Sequence, residues 1–104
     1  MREHLGYATV AILAAVKDGH QFGLDIMRQT GLPSGTVYPT LARAERSGLV
    51  RSQWEGRDAA DREARPRRRH YRLTAAGDTA LTRAAQRLDA LTWPARRAFR
   101  KARP

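Results

Sequence analysis

Apolar residues recur at helical spacing three times in the first half of the chain. Leu5, Ala8, Thr9, Ile12, Leu13 and Val16 make one broad apolar face, which predicts a first helix over 2–17. Asp18-Gly19 ends it. Phe22, Ile26 and Met27 mark a short second helix over 22–29, and Gly31 turns the chain out of it. Val37, Leu41 and Ala44 then repeat at i, i+4 and i+7, the core stripe of a third helix. Beside that stripe Thr36, Thr40, Arg43 and Ser47 keep the same rhythm and are polar, so they read as its exposed face. Ser34 is placed to cap this helix, because its hydroxyl can accept a bond from an orphan backbone N–H. Pro39 falls near the end of the first turn, where it costs at most about one helical hydrogen bond. Gly48 stops the helix in a left-handed cap.

The period then changes from helical to alternating. Over 49–55, Val50, Ser52 and Trp54 share one face and Arg51 and Gln53 the other, which predicts a strand with Trp54 in the core. Arg57–Ala64 has no period and reads as a charged loop. After Pro66 the return strand runs over 67–73, with Arg69, Tyr71 and Leu73 on one face. Thr74 caps a last helix beginning at Ala75. In it Leu81, Ala84, Leu88, Leu91 and Ala95 alternate at three and four residues, a coiled-coil-like seam. Pro94 kinks that helix or ends it, in which case Thr92 caps a short final helix through Phe99. The fold class that follows is mostly α with a small β hairpin. A winged helix-turn-helix occupies 1–74, and a C-terminal dimerisation helix, kinked or broken near Pro94, occupies 75–104.

Length and charge sharpen this picture. At 104 residues the chain makes one small domain, marginal alone, so self-association is expected. There is no cysteine, hence no disulfide or thiolate metal site. No apolar run approaches the roughly 18 residues of a membrane span. The N-terminal apolar stretch has helical spacing and no cleavage-like small residues, so it reads as a core helix and not a leader. A cytoplasmic protein without membrane contact is expected. The net charge is +10, unevenly placed. Residues 1–50 carry five basic and four acidic side chains, whereas 51–104 carry fifteen and six. Eighteen of the twenty basic residues are arginine, as a GC-rich coding bias would produce, so clustering says more than the total. Arg65–Arg72 holds five arginines, one histidine and no acid, the strongest electrostatic feature in the chain.

Enzyme chemistry has no foothold in these residues. His4, His20 and His70 lack metal-ligand spacing, no serine sits in a nucleophile elbow, and no glycine-rich phosphate loop occurs. Asp58, Asp61 and Glu63 are interleaved with arginines and read as a solvated loop. Neither cofactor nor metal is expected. The sequence points instead to duplex DNA: a recognition helix over 34–47 for the major groove, and an arginine-rich wing over 56–70 for the backbone or minor groove. The candidate contacts are Ser34, Thr36, Tyr38, Thr40 and Arg43 on the helix, and Arg65, Arg67, Arg68, Arg69 and His70 on the wing. For Tyr38 two roles stay open: a partly buried ring that orients the helix, or a phosphate contact. The competing reading is a winged helix that binds protein or RNA, its basic charge being incidental.

These residues carry a resemblance. Gly35-Thr36-Val37-Tyr38-Pro39-Thr40-Leu41-Ala42-Arg43-Ala44-Glu45-Arg46-Ser47-Gly48-Leu49-Val50 resembles the signature of PadR-like transcriptional regulators, as do Trp54-Glu55, Arg65-Pro66-Arg67-Arg68-Arg69-His70-Tyr71-Arg72-Leu73-Thr74 and Ala76-Gly77. The match spans about 5–91. It implies a winged-helix homodimer, usually a repressor, acting on a pseudo-palindromic operator. Its interface is built from the first and last helices, here through Leu5, Ile12, Leu81, Leu88 and Leu91. Phe22-Gly23-Leu24 stands where relatives often carry a His-Gly-Tyr-type step. Short relatives of this kind bind flat apolar effectors between their C-terminal helices, a role for which Trp93 and Phe99 are the candidates here.

Overall fold

The computed structural model describes residues 5–87. Its elements in chain order are α1 (Tyr7–Lys17), α2 (Gly23–Thr30), α3 (Ser34–Arg46), β1 (Val50–Trp54), α4 (Arg57–Arg62) and β2 (Arg69–Leu73), followed by a helix, α5, over 75–87. Leu88, Leu91, Trp93, Pro94 and Phe99, with the expectations attached to them, lie outside the described residues.

Three helices wrap one apolar centre. α1 contributes Ile12, Leu13 and Val16, α2 contributes Ile26, and α3 contributes Val37, Leu41 and Ala44. Val50, Tyr71 and Leu81 close the cluster from the hairpin and α5. Ile12, Leu13, Ile26, Val37, Leu41 and Val50 are the largest fully buried side chains. Each contributes about 1.5–3 kcal/mol by leaving water. Gly31, at φ 73°, ends α2 in the left-handed conformation, and the N–H of Gly31 donates to Met27 O at 2.8 Å. That turn sets α3 across α2, the helix-turn-helix arrangement.

β1 and β2 are antiparallel, with Val50 opposite Leu73, Ser52 opposite Tyr71 and Trp54 opposite Arg69. The expected alternation holds: Val50 and Tyr71 face inward, and Arg51 and Arg72 face out. Gln21 O accepts from Tyr71 N at 2.8 Å, and a lone bridge joins Phe22 to His70, so the segment entering α2 lies along the free edge of β2. Thr74 anchors α5 at both ends of its hydroxyl. It donates to Gly48 O at 2.6 Å and accepts from Gly77 N at 2.9 Å, the expected cap. Lys17 Nζ reaches Asp78 Oδ1 at 2.6 Å and ties the end of α1 to α5.

The structure corrects several expectations. The loop Arg57–Ala64 contains the six-residue helix α4, closed by Ala64 at φ 53°; the segment is too short for a hydrophobic period to reveal it. Ser34 is not a cap. Pro33 occupies that position, its carbonyl accepting from Thr36 N and Val37 N, and Ser34 is the exposed first helical residue. Pro39 therefore sits in the second turn. Trp54 is 54% exposed and not in the core, because it lies at the tip end of the hairpin, away from the apolar centre. Ile12 and Leu81, expected at a dimer interface, are buried within this chain's own core, while Leu5 packs partly buried against it.

Candidate nucleic-acid interface

α3 buries Val37, Thr40, Leu41 and Ala44, so its outward pole is Gly35, Pro39, Ala42 and Arg46. That stripe has the same i, i+4, i+7, i+11 spacing as the polar one expected from the sequence, but starts one residue earlier. The offset has a physical cause. Thr40 is only 2% exposed, and its hydroxyl accepts from Arg43 Nη2 at 3.2 Å. Thr40 is therefore not a base contact. Thr36 is half-buried, whereas Arg43 and Ser47 are exposed and line a groove with the N-terminal end of α1. The outward pole offers small or uncharged groups over three turns and one guanidinium, Arg46, at its end. Arg46 was legible only as part of the helix; nothing in its polarity set it apart from Arg43.

Tyr38 is 46% exposed. Its ring lies across the start of α2 and fills the space where a Cβ at Gly23 would sit, the tyrosine Cζ coming within 2.6 Å of that point. Tyr38 thus packs its ring over the start of α2 in the place that a side chain at position 23 would take.

The wing is built around Glu55. Its carboxylate accepts both guanidinium branches of Arg65, at 2.5 and 2.8 Å, and also the backbone N–H and side chain of Arg68, at 3.3 and 3.2 Å. Arg65 binds Glu63 at 2.8 Å as well. The Arg65 guanidinium above all holds the Glu55 carboxyl down at about 2, against an opposing effect of burial, with the Arg68 side chain and backbone N–H helping to a smaller extent. Arg65 hydrogen bonds also lower Glu63, and the two carboxylates raise Arg65 further. Arg65 is consequently a strut of the wing and not a free phosphate contact. Arg67 donates to Glu55 O at 2.9 Å and is exposed. Arg69 donates to Ser52 Oγ at 2.7 Å, with Glu45 of α3 at 3.7 Å, and its guanidinium lies 5.5 Å over the Trp54 ring. Ser52 donates in turn to Glu45 at 2.7 Å, so Glu45 ties the hairpin to α3.

His70 is not at the surface of the wing. It is half-buried, edge-on to Phe22 with centroids 6.1 Å apart, and its Nδ1 is buried without a partner among the described residues. Arg68 stacks on the same Phe22 ring at 3.8 Å. Burial pushes the Tyr71 hydroxyl upward, consistent with its place in the core. Among the described residues no group of three or more His, Asp or Glu side chains is placed to hold a metal ion, and no helix is long and apolar enough to cross a membrane.

The wing cations Arg67, Arg68 and Arg69 therefore stand on the side of α3 marked by Tyr38 and Glu45, the first two bonded to Glu55 and the third to Ser52 beside Glu45. Solved structures share this architecture. A PadR family transcription regulator from Clostridium difficile R20291 superposes with a TM-score of 0.76 over 90% of this chain and 99% of its own, at 23% identity. A PadR-like transcription factor from Bacteroides fragilis does so with a TM-score of 0.69 over 86% and 87%, at 21% identity. BpsR of Bordetella bronchiseptica, whose DNA binding is regulated by 6-hydroxynicotinic acid, gives 0.72 over 88% of this chain and 61% of its own, at 19% identity. No curated protein sequence matches the chain. The profile of the transcriptional regulator PadR-like family matches residues 12–83. The chain belongs to that family and is a DNA-binding transcriptional regulator.

Proposed function

We propose that the protein is a homodimeric repressor that seats α3 in the major groove and lays its wing on the flanking backbone or minor groove. The observation that carries this reading is the outer face of α3. Gly35, Pro39 and Ala42 present little bulk and no charge, so the helix can approach base edges closely, and Arg46 ends the stripe with a donor fork suited to guanine or phosphate. Arg43, Thr36 and Ser34 lie on its margins as secondary contacts. Arg67, Arg68 and Arg69 supply phosphate contacts, which position the protein without reading sequence. Tyr38 orients α3 against α2.

Dimerisation rests on the Leu81–Ala95 seam. With Leu81 already buried within the chain, Leu88 and Leu91 are the seam residues proposed to meet a partner, with Leu5 alongside. Trp93 and Phe99 remain proposed for a small apolar effector between the paired C-terminal helices. A two-fold dimer calls for a pseudo-palindromic operator with half-sites about one helical turn apart. Selection of bound fragments from a random duplex pool tests the proposal. Enriched inverted repeats support it, and an unenriched pool or equal binding of A-form RNA opposes it, since a major-groove helix reads A-form RNA poorly. Leu88→Asp should give a monomer in sedimentation with much weaker operator binding; a wild type already monomeric at micromolar concentration would remove the dimer.

A further inference from the structure

A cleft of about 720 Å³ opens between the wing, the start of α2 and the first half of α3. Three of the four large exposed apolar side chains among the described residues line it: Leu24, Tyr38 and Trp54, each about half exposed. Four guanidiniums line it too, against the single carboxylate of Asp25. Arg68 and Arg69 are partly neutralised by Glu55 and Glu45. Arg28 has only a loose 3.8 Å approach to Asp25, and the hydrogen bond of Arg67 ends on a neutral carbonyl. The cleft thus combines half-exposed aromatic rings, one face of Trp54 covered by Arg69 and one side of Tyr38 resting on Gly23, with cations of uncompensated charge.

We infer that this cleft binds a free mononucleotide-sized ligand, a planar base stacked on Trp54 and Tyr38 with its phosphate on Arg67 and Arg28. Flat aromatic faces beside arginine forks are the combination that takes a base and a phosphate together, whatever the base. The volume lies in the range of about 300–1,000 Å³ usual for small-molecule sites. The excess of guanidiniums favours a doubly charged phosphate over a single carboxylate. Duplex DNA does not satisfy the cleft, because its bases are stacked on each other and offer no free face to Trp54. The regulatory consequence rests on the DNA reading above: the ligand and the operator draw on the same wing arginines, so each weakens the other by the same factor.

The chain has two tryptophans, so a Trp93→Phe variant leaves Trp54 as the sole indole reporter in the cleft. Its fluorescence is titrated with adenosine and guanosine 5′-monophosphates, with adenosine, with inorganic phosphate and with an oligothymidine, and equilibrium dialysis of labelled nucleotide is run in parallel. Saturable binding of a monophosphate is expected, at least ten-fold tighter than adenosine or phosphate, and weakened at least ten-fold by Arg28→Ala with the far-UV circular dichroism unchanged. No saturable binding by either method, equal binding of phosphate alone, or tighter binding of the oligothymidine would overturn the site. These titrations contain no duplex, so they stand or fall apart from operator binding. A saturating nucleotide should lower duplex affinity at least five-fold; an unchanged affinity would overturn the coupling.

Discussion

Gly77 and Gly35 are both helical, yet the same substitution should move stability in opposite directions. A Cβ at Gly77 would penetrate Leu49 O and lie 2.9 Å from both Leu49 C and Leu73 Cδ1, inside the 3.0 Å limit that real Cβ atoms respect. The oxygen is backbone and already accepts from Thr74 N at 3.0 Å, so it cannot swing aside. α5 must move, straining the Thr74 bonds to Gly48 O and Gly77 N. Overpacking against backbone costs up to about 3 kcal/mol, and the weakened bonds about 1 kcal/mol more. Alanine returns about 1 kcal/mol of helix propensity. Gly77→Ala should therefore destabilise by about 3 kcal/mol. At Gly35 nothing lies within 4 Å of the added methyl. There, close to the helix start, alanine should stabilise by about 0.5 kcal/mol. Urea unfolding followed by circular dichroism, at one fixed protein concentration, separates them. With a slope of about 1.5 kcal/mol/M, the midpoint falls by about 2 M for Gly77→Ala and rises by about 0.3 M for Gly35→Ala. Midpoints moving together, or a neutral Gly77→Ala, would refute the close approach of α5 to the Gly48–Leu49 turn.

Gly35→Ala should also weaken operator binding several-fold despite the stabler fold, as its methyl stands on the proposed groove-facing pole; gel-shift titration tests this. Arg46→Ala should relax specificity at one base pair by about 1–3 kcal/mol in binding to single-site operator variants. Arg67→Ala with Arg69→Ala should instead weaken all duplexes alike and flatten the log–log salt dependence by about 0.9 per lost phosphate contact in each protomer; an unchanged slope would count against the wing as the phosphate grip. Because Glu55 titrates at about 2 in the fold against an ordinary 4.5, its contribution is complete above 4.5 and disappears as pH falls toward 2. Stability of wild type should decline across that window, and Glu55→Gln should start lower near neutral pH and lose that part of the decline, read from unfolding midpoints at each pH. Gly23→Ala should displace Tyr38 and raise its exposure, seen as faster modification of the tyrosine ring.

The periodicities determined most of the architecture, because burial of a helix stripe or strand face is a local property that repeats along the chain. Val37, Leu41 and Ala44 declared the core side of α3, and alternation over β1 and β2 declared which hairpin residues face inward. Thr74 announced its own cap. The tertiary structure decided what local patterns do not encode. It rotated the outward pole of α3 by one residue, since a threonine with a bonded hydroxyl packs as readily as an apolar side chain and polarity alone does not reveal that bond. It sorted five neighbouring arginines into a strut and a few surface cations, because their partners Glu45, Glu55 and Glu63 come from other elements or from across the loop. It also placed Tyr38, whose position depends on there being no side chain at Gly23, fifteen residues earlier in the chain and adjacent only once α2 and α3 have crossed.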